Sequence, residues 1–214
     1  MIDTFRHQGM RKKLIDDLRK KGISDEKVLE AMMKVPRHFF FESGFIEHAY
    51  EDKAFPIDCE QTISQPYTVA FQTSLLEIEK SDKVLEVGTG SGYQACIISV
   101  MGAKVYTIER IKTLYNKSKQ LIEQLGYNVK VFFGDGYNGL PTYAPINKII
   151  VTAGAKEIPQ NLIEQLSVGG RLIIPVGDEI QKMKLVIKKS KTDIEIIDNG
   201  DFRFVPLLRN KTWK

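Results

Sequence analysis

From Lys83 to Gly177 short apolar runs alternate with helical stretches, and that alternation restricts the fold more than any other feature of the chain. VLEV, at 84–87, is a first strand and residues 92–101 are a helix. KVYTIE, at 104–109, is a second strand. Ile111, Leu114, Tyr115, Ser118, Leu121, Ile122 and Leu125 then share one face of a helix that Gly126 ends. VKVFFGD is a third strand and NKIIVTA, at 147–153, a fourth. Pro159 starts another helix, stopped by Gly169–Gly170, and RLIIPVG is a fifth strand. Strands joined by helices lie parallel and cross over with a right hand. KLVIKK and the stretch 194–205 read as further strands, added antiparallel. The expected fold is α/β: a doubly wound, mostly parallel sheet with helices on both faces.

The first 80 residues follow a different period. Met10, Leu14 and Leu18 recur at helical spacing, and Gly22 stops that helix. Ser24 is placed to cap a second helix, with Val28, Leu29, Met32 and Met33 as its buried face and Pro36 at its end. Residues 37–60 show no period and read as an irregular connection. Pro66 starts a third helix carrying Val69, Ala70, Thr73 and Leu76, which Ser81 and Asp82 break. The expected division is a helical extension with an active-site segment over 1–80 and a cofactor-binding core over 81–214, forming one compact unit.

Charge narrows the class of partner. Residues 1–21 hold seven basic and three acidic side chains, and residues 181–214 hold nine and four. The segment between holds fifteen basic and twenty acidic. The positive charge therefore lies at the ends, and the segment with the glycine turn is acidic, which disfavours nucleic acid as a partner. No apolar run approaches the length of a membrane span, and MIDTFRHQGMRKK lacks the apolar region of a secretory signal. Cys59 and Cys96 form neither a disulfide framework nor a metal-ligand spacing. A cytoplasmic protein without a metal site is the expectation.

The first strand-to-helix turn is Gly88-Thr89-Gly90-Ser91-Gly92-Tyr93. In a doubly wound sheet ligands sit beyond the carboxyl ends of the strands, where such a turn lets a ligand approach the backbone. Helix-start N–H groups there favour an anion. A dinucleotide fingerprint needs glycine at the third position, which is Tyr93 here. The order G-x-G-x-G, preceded by Glu86 in L-E-V, resembles the first motif of class I S-adenosylmethionine methyltransferases, which have a Rossmann-like core. The resemblance implies that Glu86, Gly88, Thr89, Gly90, Ser91 and Tyr93 form the cofactor turn, facing the methionine part. Glu109 stands 21 positions after Gly88, where an acidic residue accepts from ribose hydroxyls. Asp135 ends the third strand, where the resemblance places adenine contacts, and Gly136 would leave room for the ring.

Gln61–Ala70, QTISQPYTVA, can be read as the cap of the third helix, with Ser64 just before Pro66. Together with VPRHFF, AYEDKAFPI, VLEVGTGSGYQ, TIER, GDGYNGLP, APINKIIVTAGA, LSVGGRLIIPVG and FRFVPL, it resembles the protein-L-isoaspartate O-methyltransferase family over residues 8–177 and 202–207. The resemblance implies methyl transfer from S-adenosyl-L-methionine to the free α-carboxylate of L-isoaspartyl residues in damaged proteins and peptides, which starts their repair. S-adenosyl-L-homocysteine would be the product. Ser64 would orient the acceptor carboxylate, and Thr62 and Ile63 would line the cofactor. A carboxylate is already ionised at neutral pH, so no general base is required. His7, His38 and His48 are scattered and read as structural or exposed. One departure is Asp58-Cys59-Glu60, where the family usually has glycines before QTIS.

Other readings stay open on the residues alone. A methyltransferase of small molecules or RNA would share the glycine turn. A catalytically weak S-adenosylmethionine-binding protein is suggested by the changed 58–60 turn. A nicotinamide-dependent oxidoreductase is disfavoured by Tyr93. The expected enzyme is a monomer.

Overall fold

The computed structural model describes residues 2–213 and shows the expected mixed sheet behind a helical extension. Helix α1, Phe5–Lys20, starts at Thr4, whose hydroxyl accepts from the His7 amide, and its chain turns away at Gly22 with φ +94°. Helix α2 is Glu26–Lys34. Its cap is Asp25 and not Ser24: the Asp25 carboxylate accepts from the Val28 amide at 3.2 Å. A carboxylate caps as well as a hydroxyl and is further favoured by the helix dipole.

Residues 37–60 are more ordered than their lack of period suggests. They hold two 3-10 turns, Arg37–Phe40 and Ser43–His48, and strand β1, Phe55–Ile57. Strand β2, Gln61–Ile63, pairs antiparallel with β1 and carries QTI into a hairpin. Three-residue strands are too short to show alternation. Helix α3, Pro66–Leu76, follows with proline in its first turn.

The core then alternates as expected: β3 Lys83–Val87, α4 Tyr93–Val100, β4 Lys104–Glu109, α5 Lys112–Gln124, β5 Val129–Phe133 and β6 Ile146–Val151. Helix α6, Gln160–Gln165, is capped at Pro159 and ends before the Gly169–Gly170 pair. Strand β7, Leu166–Val176, already contains both glycines. Gly169 takes φ +78°, and the pairing with β6 slips from Ile146↔Leu166 to Lys148↔Arg171, so the glycines sit in a bulge. Strands β8, Gln181–Lys188, and β9, Ile194–Phe202, are antiparallel.

The sheet order is β5-β4-β3-β6-β7-β8-β9. Val84, Val105, Ile150 and Ile173 pack on α3 and α4, and Leu85, Ile149, Leu172 and Val186 pack on the side of α6. From β3 the chain winds outward to β5, then returns to the other side of β3 as β6. That reversal opens a crevice at the carboxyl ends of β3 and β6, the place where doubly wound sheets hold ligands.

Candidate active site

A cleft of about 840 Å³ lies at this crevice. Its walls are the β3–α4 turn, the ends of β4 and β6, the β1–β2 hairpin with Ser64, and the C-terminal residues Val205–Leu208. Gly88, Gly90 and Gly92 take φ +99°, +51° and +89°, which L side chains rarely adopt. A Cβ on Gly88 would come 2.5 Å from the Thr152 hydroxyl. That hydroxyl donates to the carbonyls of Val87 and Gly88, locking the start of the turn to the end of β6.

Two carboxylates serve the turn in different ways. Glu109, 5% exposed, accepts from the Gly90 amide at 3.0 Å and the Ile111 amide at 2.9 Å. A carboxylate has about four lone-pair sites, so hydroxyl donors can still be accepted. Glu86 is fully buried, with register partner Thr107 on β4. The Thr107 hydroxyl donates to its Oε2, and Thr89 adjoins Thr107 at 2.7 Å. Its Oε1 has no partner. Burial pushes the Glu86 carboxyl up to about 8, against the bond from Thr107 and with a smaller push from the charge of Glu109.

Gln94 supplies a second orphan acceptor. The Thr73 hydroxyl donates to the Val69 carbonyl, so it must accept from the Gln94 amide group at 2.9 Å. This fixes the amide orientation and leaves the buried Gln94 Oε1 unpartnered. Glu86 and Gln94 both line the cleft. With Glu86 ionised, the two buried acceptors without donors fit a cationic group, and S-adenosylmethionine carries an ammonium and a sulfonium.

Ser64 lines the same cleft as the turn. Its capping role is overturned: the cap position of α3 is Gln65, which makes no side-chain cap bond. Asp52 satisfies the helix start instead, accepting from the Tyr67 amide at 2.8 Å. Ser64 is placed through its backbone. Arg37, fully buried, donates to the carbonyls of Ala49, Ser64 and Lys53. Its guanidinium also lies over the rings of Phe41 and Tyr93. Having three carbonyls and no carboxylate, it is held by burial below its ordinary value, at about 10, and stays charged at neutral pH.

Ser64, Thr62, Ile63, Glu86, Gly88, Thr89, Gly90, Ser91, Tyr93, Glu109 and Gly136 all line this one cleft. Asp135 does not. One of its oxygens accepts from the Tyr137 amide and the other from the Asn210 amide at 2.8 Å. Gly136 adjoins Val87, and a Cβ there would approach a Val87 methyl to 2.4 Å. Sequence reasoning missed Gln94, Thr152 and Val205–Leu208. Thr152 directly follows β6, so the strand-end rule could have found it. The histidines are not all scattered: the rings of His7 and His38 stack at 3.9 Å, beside Asp3. Asp3 is paired with Arg11, and His38 bonds to the Tyr50 hydroxyl.

The protein-L-isoaspartate(D-aspartate) O-methyltransferase family model matches residues 9–212. A protein-L-isoaspartate O-methyltransferase from Christiangramia forsetii is 59% identical, covering 99% of this chain and 100% of the relative. One from Flavobacterium psychrophilum is 55% identical over the same shares. A solved protein-L-isoaspartate O-methyltransferase superposes with a TM-score of 0.85 at 32% identity, covering 94% of this chain and 66% of its own. A Plasmodium falciparum structure assigned to the same family, bound to S-adenosyl-L-homocysteine, gives 0.81 at 26% identity, covering 94% of this chain and 99% of that one. The chain belongs to the protein-L-isoaspartate(D-aspartate) O-methyltransferase family.

Proposed function

We propose that this cleft binds S-adenosyl-L-methionine and an isoaspartyl side by side, and that the chain methylates the free α-carboxylate of L-isoaspartyl residues in damaged proteins and peptides. One observation carries the reading: the glycine turn, the orphan acceptors of Glu86 and Gln94, and Ser64 share a single cleft. When bound, the cofactor supplies a methyl group on a sulfonium leaving group. The acceptor carboxylate oxygen forms the new bond to that methyl, the carbon–sulfur bond breaks, and its electron pair stays on sulfur. No proton moves, so the chain needs no general base.

The residues then act by position and by excluding water. Ser64 donates a hydrogen bond that orients the acceptor carboxylate. Thr62 and Ile63 close over the donor from the side opposite the glycine turn. The α4 start receives the methionine carboxylate, with Gly88 and Gly90 giving it close approach to the backbone, while Glu86 and Gln94 receive its ammonium. Glu109 accepts from the ribose, and Gly136 leaves space for the adenine. We read the protein as a cytoplasmic monomer that does not bind nucleic acid. The described residues include no helix long and apolar enough to cross a membrane.

The test is transfer of labelled methyl from S-adenosylmethionine to an isoaspartyl peptide, with its aspartyl twin as control. Methylation of the isoaspartyl peptide alone is expected. Equal labelling of both peptides, or of neither, would overturn the reading.

A further inference from the structure

The backbone around Ser64 is held from one turn of the helical extension, residues 49–53. Arg37 spans that turn, donating to the carbonyls of Ala49 at 2.9 Å and Lys53 at 3.3 Å, and reaches the Ser64 carbonyl at 3.0 Å. Asp52 holds the residues that follow. Its carbonyl accepts from the Gln65 side chain at 3.1 Å, and its carboxylate accepts from the Tyr67 amide at 2.8 Å. The sequence explains why a carboxylate from outside the helix serves there. Pro66, at the first helical position, has no N–H, so Tyr67 carries the first free amide of α3, and Gln65 does not cap it. A carboxylate at a helix start gains from the helix dipole as well as from the bond. The second Asp52 oxygen pairs with Lys21, at the end of α1. The Asp52 side chain is 12% exposed and does not line the cleft. None of these bonds uses the Ser64 hydroxyl, which they leave available to an acceptor carboxylate.

We propose that Asp52 is a positioning residue for methyl transfer: from the helical extension it fixes the start of α3, and so sets where the Ser64 hydroxyl meets the acceptor carboxylate. The proposal rests on the reading of Ser64 as the residue that orients that carboxylate. It gives the extension a part in the reaction, because the acceptor half of the cleft is then set from residues 37–53 while the donor half is built on the sheet. A residue kept only for stability would change how much protein is folded, and not the turnover of each folded molecule.

The experiment measures methylation of an isoaspartyl peptide, and affinity for S-adenosylhomocysteine, at a temperature where every protein compared is fully folded. Asp52→Ala should lower kcat about ten- to a hundredfold, the range that a displacement on the order of 1 Å costs, while S-adenosylhomocysteine affinity barely changes. Asp52→Asn keeps an oxygen for the Tyr67 amide and caps equally well, so it should turn over close to the wild-type rate. Lys21→Ala, which removes only a half-exposed ion pair, should leave turnover unchanged. Added to Ser64→Ala, Asp52→Ala should slow the reaction little further, because both act through one hydroxyl. Amide hydrogen exchange over residues 62–68 should rise in Asp52→Ala and not in Asp52→Asn. Should Asp52→Ala not fold, Asp52→Glu, which moves the carboxylate by one methylene, carries the same test with the same lowered kcat expected. Wild-type kcat in the folded variant, weakened S-adenosylhomocysteine binding, effects that multiply with Ser64→Ala, or no recovery in Asp52→Asn each overturn the proposal. Failure of the wild type to label the peptide would instead count against the methyl-transfer reading, and the exchange measurement would still decide whether Asp52 holds the Ser64 segment.

Discussion

Glu86 is the residue whose chemistry the fold alters most. Its carboxyl is raised from the ordinary 4.5 to about 8, chiefly by burial. The folded protein therefore holds a proton that the unfolded chain releases between those values. Stability from this group is full below about pH 4.5, falls as pH rises, and is lost by about pH 8. Thermal melting of the cofactor-free protein should show this decline, and Glu86→Gln should flatten it. A bound ammonium would favour the ionised carboxylate, so cofactor affinity should rise from pH 5 to 8 in the wild type and be weaker and pH-independent in Glu86→Gln. Calorimetry across that range checks both. Ser64→Ala should lower methyl transfer strongly, by roughly 10–100-fold if one charge-assisted bond is lost. Adenosylmethionine affinity should barely change, and near-normal turnover would sink the acceptor role. Glu109→Ala should instead weaken cofactor binding by a similar factor, because the Gly90 and Ile111 amides lose their acceptor as well. Ser64 was legible through QTISQPY, Glu86 because it precedes the glycine turn, and Glu109 because it ends a parallel strand. Asp135 obeys the same rule, yet its oxygens go to backbone amides, one of them 75 residues away. No local pattern reports such a partner.

At the scale of elements, the β1–β2 hairpin shows what a departure from the family's glycines does. The Gln61 amide bonds back to the Asp58 carbonyl at 3.2 Å, and Cys59 and Glu60 take φ +58° and +59°. This is a type I′ turn, built with two L side chains where glycine would be unstrained. The turn keeps the hairpin shape, and Asp58 pairs with Lys117 on α5, tying the hairpin beside the glycine turn. Strain of the left-handed conformation runs to ~1–2 kcal/mol per residue, partly offset by the entropy that glycine loses on folding. The double change Cys59→Gly, Glu60→Gly should therefore stabilise the protein by about 1 kcal/mol net. Urea unfolding measures this, and a loss of stability would mean the two side chains contribute contacts that outweigh the strain. The hairpin was invisible in the sequence because each strand is too short to alternate. Residues 166–170 misled for a different reason. A glycine pair ordinarily stops a helix, but here it sits in a bulge of β7, where the pairing with β6 shifts.

At the scale of the whole molecule, the parallel sheet was readable because its strands are continuous apolar runs separated by helical periods. The strap over the cleft was not, since Val205–Leu208 has no period and is placed by bonds to Gly154. Nor could periodicity say how the helical extension meets the core. One buried cluster answers that: Leu14, Leu18, Leu29 and Met32 of the extension pack with Tyr93, Cys96, Ile97 and Ile122 of the core. Arg37 adds bonds to the segment that carries Ser64. The buried face of the extension is thereby continuous with that of the core. Unfolding of residues 1–80 should therefore coincide with that of 81–214. Far-ultraviolet dichroism, which follows the helices, and fluorescence of Trp213, the single tryptophan, on the strap side, should give the same midpoint. S-adenosylhomocysteine at a hundred times its dissociation constant should raise that midpoint by roughly 5–10 °C, the equivalent of about 2.7 kcal/mol. An early loss of helical signal, with the fluorescence midpoint still shifted by the ligand, would show instead that the extension melts separately and that the donor half of the cleft stands without it.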